Sequence, residues 1–531
     1  MEPPEQQSID PQNETFFRRE AVTGIPWMVV TKLVLFFVYF AISVLTVRLL
    51  GKEQYGIFSI CANIGGLIGV FCCLGMGAAY FRFVPELVVN KNKAGLQRLI
   101  ARSVWLQSAS VLVALVVVIV GKPWFDNWFK IDFGPYLILT VILVGVSLVK
   151  DGVASIETSL FHVRQISILS FVQAILWLIF LAGGLWLWPN TGTAINAQTL
   201  SYGLVYAVGA FMLMRHIKEL KWRSPPYGIG KRRALKYSGV IYLNSIIRLL
   251  MLQYTEIIFL GRMRPPGEVG AYALGYSLPP QVIFFVPMAL QMLFTAGFSD
   301  AYSRDPQCLN RLISAFYKMQ ILFTVPLAIF GVFFAPFAVP AVFGEEMRLA
   351  GTVASVFCII QLFPMISTPL SMAIQAQEKV HRMLPLMFLQ ITINLILDWL
   401  LIIHFDLGVW GGILAVGGTF LLTIPFRLYV VRRIIGGIWF PIHYLVRISI
   451  PLVLLSAMLY FLSMRFGLLR LFEGKVLNLL ILFVLGGIYL IGGLMLIRIF
   501  RLVKEEDVSD FRALDIKKLN VVFDLLSPRE K

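Results

Sequence analysis

Apolar runs of about 20 residues or more follow one another from residue 25 to residue 500, separated only by short polar breaks. A hydrocarbon core of about 30 Å takes roughly 20 helical residues to cross, so each run predicts a membrane-spanning helix. The pattern places six spans in a first half, near 25–49, 55–80, 102–121, 134–158, 166–188 and 198–215. Eight more follow near 238–260, 270–298, 317–342, 350–376, 384–404, 409–431, 446–464 and 475–500. The reading is therefore an all-α, polytopic integral membrane protein with fourteen transmembrane helices.

Composition agrees with the pattern. Of 531 residues 58% are hydrophobic and 14% charged, with a mean hydropathy of +0.80, which is too apolar for a water-soluble globule. Residues 1–24 are polar, carry Arg18 and Arg19, and lack a small-residue cleavage site, so the first run is expected to stay as an anchor behind a disordered tail.

Charge then sets orientation. Starting from the N-terminal tail, alternate segments outside the spans hold 27 of the 46 Lys and Arg and the intervening ones hold 8, while the other 11, Lys32 and Arg248 among them, fall within the span bounds. Basic residues in short loops resist translocation, which predicts that both termini are cytoplasmic; the cell (inner) membrane is the expected location. The formal charge of +17 is thus a topology signal that points to anionic lipid headgroups and away from nucleic acid. The five cysteines have no metal-ligand spacing and read as free thiols, and the chain has no GxxxxGK[ST] phosphate loop. Neither a metal nor a cofactor is expected, nor an enzyme's chemistry.

One stretch occurs twice. "VRLLGKEQYGIFSI" at 47–60 and "FLGRMRPPGEVGAYAL" at 259–274 align Leu50-Gly51 with Leu260-Gly261, and Gly56-Ile57-Phe58 with Gly270-Ala271-Tyr272. A four-residue insertion separates the two matches in the second copy. Both copies join the first span of a half to its second, the placement that parallel transporter repeats require. Each is expected to be an outer hairpin tip whose Gly residues allow a close turn and whose Tyr55, Phe58 and Tyr272 suit the headgroup layer.

Here the residues also resemble a known family. "VRLLGKEQYGIFSICANIGGLIGVFCCLGMGAAYFRFVPEL" at 47–87 is similar to the N-terminal signature of polysaccharide biosynthesis membrane proteins, the Wzx-type O-antigen/oligosaccharide flippases. "YTEIIFLGRMRPPGEVGAYALGYSL", "FGEEMRLAGTVASVF" and "INLILDWLLIIHFDLGVWGGILA" agree with it. The arginine-rich and Asp-containing signatures of the lipid II flippase branch are not found. The resemblance implies the multidrug/oligosaccharidyl-lipid/polysaccharide exporter fold, two six-helix lobes around a central cavity plus two C-terminal helices. On this chain that gives an N-terminal tail at 1–24, a lobe at 25–215, a basic linker at 216–237 and a second lobe at 238–431. Helices 13 and 14 at 432–500 and a cytoplasmic tail at 501–531 complete it. It also implies flipping of a polyprenyl-diphosphate-linked oligosaccharide to the outer leaflet, among membrane lipids and in company with a polysaccharide polymerase or other assembly proteins.

Charges inside hydrocarbon cost several kcal/mol unless they face water or a partner, so they supply the candidate site. Arg248, near the midplane of the seventh span with Asn244 one turn before it, has a planar fork that suits a diphosphate. A packing ion pair with Glu256 is the competing role. Lys32 is a second candidate substrate contact, and Arg48 and Arg82 at span ends are either topology anchors or a cationic rim. Glu256 stands where the resembled family often carries an acid before the "LG" turn, which implies cation coupling or gating, against simple snorkelling at the outer surface. Asp398, one turn after Asn394, suits a cation or a sugar hydroxyl. Lys150, Asp151 and Glu157 read as local charge pairing. Eight prolines between Pro279 and Pro369 are either hinges or static kinks. Residues 504–531 approximate an amphipathic cytoplasmic helix. Two other classes compete with the flippase: an exporter of small organic cations on the same fold, disfavoured by Lys32 and Arg248, and a membrane glycosyltransferase or polymerase, for which the short outer loops leave no catalytic domain.

Overall fold

The computed structural model describes residues 11–219, 254–285, 306–376, 383–435, 440–467 and 475–504, apart from residue 161, with isolated further positions such as Tyr242 and Asp507. Every regular element among them is helical. Ten helices are long and apolar enough to cross a membrane, and a bent pair makes an eleventh. The first of the ten, Leu33–Cys73, carries two of the expected spans in one, and the seventh and eighth expected spans lie partly outside the described residues. So does nearly all of the expected C-terminal amphipathic helix. The chain divides into two compact units, Met1–Leu50 with Cys61–Leu249, and Gly51–Ile60 with Leu250–Lys531.

The first unit contains most of α1 (Pro11–Cys73), then α2 (Met76–Val89), α3 (Lys93–Phe129), α4 (Gly134–Ser159), α5 (Val163–Leu187) and α6 (Thr191–Glu219). Helix α4 touches α2, α3, α5 and α6. Leu137, Val141, Val144 and Leu148 recur on it at helical spacing and are all buried, which makes α4 the axis of the unit. The opposite case is α3, where Trp105, Leu112, Val116 and Val120 remain exposed. In water that face would be a liability, whereas in a bilayer it is the surface that lipid tails cover.

The second expected span ends sooner than its hydropathy implies. Leu74 and Gly75 both have positive φ (51° and 69°), so the helix stops at Cys73 and residues 76–89 form a separate helix. Its Tyr80, Val84 and Leu87 pack with Leu96, Ile156, Leu213 and Ile217. The apolar run is continuous because both helices bury one face.

The second unit holds α7 (Tyr254–Met263), α8 (Pro266–Ile283), α9 (Pro306–Phe343), α10 (Arg348–Ile360), α11 (Leu362–Ala376), α12 (Leu384–Asp398), α13 (Gly408–Ile435), α14 (Ile442–Arg465) and α15 (Lys475–Ile499). Between α12 and α13 the chain continues as a π-helix, Trp399–His404. Helices α8, α9 and α10 make the tightest group, and α9 also packs on α14 and α15. One proline shows how this packing is enforced. Pro336 has no N–H, so the Val332 carbonyl four residues earlier loses its intrahelical donor. Ser355 on α10 replaces it, its hydroxyl donating to that oxygen at 2.6 Å. The tenth expected span is bent by 43° between α10 and α11, and the eleventh gives way to the π-helix after Asp398.

The repeated stretch behaves unlike a pair of separate hairpin tips. In the first copy Gly51 breaks α1 with φ 71° and ψ 174°, a conformation reserved for glycine. In the second copy Gly261 stays helical and the chain turns at Arg264-Pro265 instead, because the inserted residues include Pro265 and Pro266. The two copies then pack on each other. A Cβ on Gly56 would lie 1.8 Å from the Pro266 carbonyl oxygen, and one on Gly270 would lie 2.8 Å from the Gly56 Cα. Glu53 accepts from the Gly267 N–H at 3.2 Å and Glu346 from the Lys52 N–H at 3.3 Å. This seat is why Gly51–Ile60 belongs to the second unit. Tyr55 and Tyr272 are consequently core residues, 9% and 0% exposed, and not headgroup-layer anchors.

Beyond α15, Leu502 and Val503 enter the core of the second unit, and Asp507 clamps them there. Its carboxylate meets Lys318 Nζ at 2.7 Å and Arg447 Nη2 at 2.6 Å, and accepts from the Lys504 N–H at 2.9 Å. Burial pushes the Asp507 carboxyl up, but Lys318, the Lys504 N–H and Arg447 outweigh it and hold it below the ordinary Asp value.

Two outcomes follow from this packing. Gly56→Leu must displace backbone, and it should lower the unfolding free energy of the purified protein by at least about 3 kcal/mol, whereas Gly69→Ala should change it by less than about 1 kcal/mol. The Gly69 Cβ would meet only Val144 Cγ1 at 3.9 Å, so a fall as large as that of Gly56→Leu would refute the close-approach account. Asp507 is favoured in its ionised form by the fold, so its contribution is complete above an unfolded-state pKa of about 3.9 and is lost as pH falls through the lower folded value. Melting curves of wild type and Asp507→Asn should differ most near neutral pH and converge in acid, and a constant difference would contradict the clamp.

Candidate functional site

Hydrocarbon gives an acidic side chain no water, so two carboxylates inside the second unit need an explanation. Helix α7, described from Tyr254 onward, carries Thr255 and Glu256. Helix α12 carries Asn394 and Asp398 four residues apart, hence on one face. Helix α13 contributes Thr419. The packing of α7 on α12 and α13 brings these groups together, although Glu256 and Asn394 are 138 residues apart in the chain.

Asn394 is the hub. Its Nδ2 donates to Glu256 Oε1 at 3.1 Å and reaches Thr419 Oγ1 at 3.5 Å, while its Oδ1 accepts from Thr255 Oγ1 at 3.0 Å. Glu256 is 2% exposed, Asn394 5% and Asp398 0%. Glu256 Oε2 and both oxygens of Asp398 have no hydrogen-bond partner among the described residues, and neither does the hydroxyl of Tyr272. Glu256 and Asp398 also lie near enough to interact electrostatically. Each unmet acceptor costs about 1–3 kcal/mol, more when it is charged. A hard cation or a proton is what would satisfy such a set, because every free atom is an oxygen and both acids carry negative charge when ionised.

The π-helix starts at Trp399, the residue after Asp398. It adds a residue to one helical turn, a distortion that accumulates at functional sites. Gly411 permits α13 to approach this segment, since a Cβ there would lie 2.8 Å from the Leu401 carbonyl oxygen.

Of the residues proposed from sequence, Glu256, Asn394 and Asp398 therefore meet in one place. Glu256 is buried among partners and does not snorkel at an outer surface. Arg248 and Asn244 lie outside the described residues, as does the side chain of Lys32. Arg48 is exposed, and Arg82 is half-exposed in an ion pair with Glu86 at 3.6 Å. Lys150 pairs with Asp151 at 3.3 Å, and Glu157 with His162 at 2.7 Å. Thr255, Thr419 and Tyr272 join the site although sequence does not single them out for it. Thr255 has a signal, its position beside Glu256, but nothing local distinguishes Thr419 from the other hydroxyls on apolar helices.

The fold of this all-helical, many-span chain has counterparts among solved structures. The fold is similar to "Lipid II flippase MurJ, inward closed conformation", with a TM-score of 0.64 and 14% identity over 89% of this chain and 99% of that one. It is also similar to an inward-facing multidrug resistance MATE family transporter of the MOP superfamily, with a TM-score of 0.58 and 14% identity over 76% of this chain and 98% of that one. At such identities the likeness concerns the fold alone. No curated protein sequence matches the chain. Residues 44–350 match the family described as "Polysaccharide biosynthesis protein", and the chain belongs to that family.

Asn394→Leu removes the partner of two buried groups at once, and we expect it to cost about 2–4 kcal/mol of unfolding free energy, against about 1 kcal/mol for Thr255→Val. Equal melting temperatures for Asn394→Leu and wild type would show that the hub does not form.

Proposed function

We propose that this protein flips a polyprenyl-diphosphate-linked oligosaccharide from the cytoplasmic to the outer leaflet of the cell membrane, with a cation or proton at Glu256, Asn394 and Asp398 driving the cycle. The buried acidic pair with unmet acceptors carries this reading, in a chain that belongs to a polysaccharide biosynthesis family and has no phosphate loop for ATP. Lipid II in the name of one similar structure supports a lipid-linked substrate, and the family supports a sugar on it. In this reading both termini face the cytoplasm, and loading of the acidic pair biases one arrangement of the second lobe over another.

The energetics are those of linkage. A cation that binds one conformation better than the other shifts the equilibrium by its differential affinity, and a tenfold preference supplies about 1.4 kcal/mol. Discharging it on the other side of the membrane resets the cycle. The substrate's diphosphate needs a cationic partner of its own, and Arg248 takes that role on the strength of its midplane position in the sequence. A guanidinium can hold two phosphate oxygens at once, which a lysine cannot.

The test is flipping of a fluorescent polyprenyl-diphosphate oligosaccharide by purified protein in vesicles, with imposed sodium or proton gradients. Wild type should respond to one of the gradients, Asp398→Asn and Glu256→Gln should each lose at least about tenfold of the gradient-driven rate, and Arg248→Gln should be slower than Arg248→Lys. Wild-type flipping that ignores both gradients would remove the coupling role of the acidic pair. Robust export of organic cations without lipid flipping would favour the exporter instead.

A further inference from the structure

The first unit contains a second polar constellation, made of groups that the acidic pair and Arg248 leave without a role. Tyr39 on α1, Lys150 on α4, Gln173 and Trp177 on α5, and Gln198 and Tyr202 on α6 converge within the helical bundle. The Tyr39 hydroxyl donates to Gln173 Oε1 at 3.2 Å, and Gln198 Nε2 donates to the Tyr202 hydroxyl at 3.1 Å. The Trp177 ring lies 6.0 Å from the ring of Tyr39 and 6.0 Å from that of Tyr202, at interplanar angles of 61° and 78°. Lys150 Nζ stands 4.7 Å from the centroid of the Tyr202 ring.

Two donors in this cluster are unmet. Gln173 is 2% exposed, and neither its Nε2 nor the Trp177 indole N–H has an acceptor among the described residues. Leaving each buried donor unpaired is unfavourable. Packing needs the Gln173 Oε1, which holds the Tyr39 hydroxyl, but it does not need the two unmet N–H groups.

The sign of the unmet groups selects among ligands. A lipid tail would leave every donor unpaired. A metal ion or organic cation needs acceptors, and here the free atoms are N–H groups beside a lysine. A diphosphate carries more charge than one lysine, itself paired with Asp151 at 3.3 Å, can balance. A pyranose matches these groups in kind: its hydroxyls can accept from the amide and indole N–H groups and its C–H faces suit aromatic rings, and since both N–H atoms are buried here it enters when the cluster opens.

The geometry points to a carbohydrate subsite in the first unit, built from Tyr39, Lys150, Gln173, Trp177, Gln198 and Tyr202, that takes a sugar of the transported lipid. It rests on the flippase reading for the identity of that lipid. A site that hydrogen-bonds hydroxyls discriminates strongly against a ligand that lacks them, because its own buried polar atoms are then left unpaired.

The experiment measures binding to purified full-length protein in nanodiscs. The probes are bare polyprenyl diphosphate, the same lipid carrying one hexose, N-acetylhexosamine or hexuronic acid, and the matching soluble methyl glycosides. Wild type should bind at least one glycosylated lipid about tenfold more tightly than the bare lipid. Gln173→Leu, and Trp177→Phe, which keeps a ring but loses the N–H, should erase most of that preference and leave the bare-lipid affinity within about twofold. Trp177→Phe preserves an aromatic filling and should melt close to wild type, whereas Gln173→Leu also takes away the acceptor of the Tyr39 hydroxyl and should melt lower, so binding is measured below both melting transitions. Equal weakening of bare and glycosylated lipid, or a wild type that prefers no sugar, overturns the subsite while leaving the flippase reading in place. If wild type binds methyl glycosides in a Gln173- and Trp177-dependent way but binds no polyprenyl diphosphate, the flippase reading falls and the subsite stands.

Discussion

No water reaches a hydrocarbon core, so each polar group there must find its partner within the protein, and most of this structure is arranged by that constraint. Where Pro336 strips a donor from the Val332 carbonyl, Ser355 on the neighbouring helix supplies one. Where Asn394 brings an amide into the second unit, both of its polar atoms are engaged, by Thr255, Glu256 and Thr419. Serine and threonine hydroxyls elsewhere return to the carbonyl four residues before them, as Thr46, Thr140 and Ser159 do. Such bonds cost little helical geometry and leave nothing unmet.

Against this background the unmet groups gain meaning. In the second unit they include the acceptors of Glu256 and Asp398, and in the first the donors of Gln173 and Trp177. The two sets have opposite character, and in the proposed reading they serve different halves of a transport cycle, acceptors for a cation that supplies energy and donors for the hydroxyls of a cargo. Tolerating a few kcal/mol of unsatisfied polarity at each place is reasonable when a ligand restores it during the cycle. The clamp at Asp507 is of another kind. Its carboxylate is fully engaged by Lys318, Arg447 and the Lys504 N–H, which fixes the end of α15 to α9 and α14 and leaves no valence for a ligand.

Helical spacing makes some of the site legible. Asn394 and Asp398 are visibly one turn apart, and an acid before the "LG" turn stands out in an apolar run, so Glu256, Asn394 and Asp398 can all be picked out. That Glu256 and Asn394 touch is invisible, because the 138 residues between them carry no local record of which helices pack. The duplicated stretch shows the same boundary. Its recurrence can be counted letter by letter, and the need for glycine at Gly56 and Gly270 is apparent, but a local reading assigns that need to separate turns. The structure gives the reason as a close crossing of one copy over the other, with Gly56 against the Pro266 carbonyl.

Sequence by itself determined the solvent, since a mean hydropathy of +0.80 and recurring runs of bilayer length leave no soluble alternative. It also determined the helical class and most helix positions, because apolar length and proline placement are local properties of the chain. Tertiary structure alone decided where helices break without a hydropathy change, as at Leu74-Gly75 and after Asp398, for a backbone turn between two buried faces alters no side chain's polarity. It alone decided that Tyr55 and Tyr272 are core residues and that Gly51–Ile60 joins the second unit. Burial and partnership arise from contacts between residues far apart in the chain, and no local pattern encodes them.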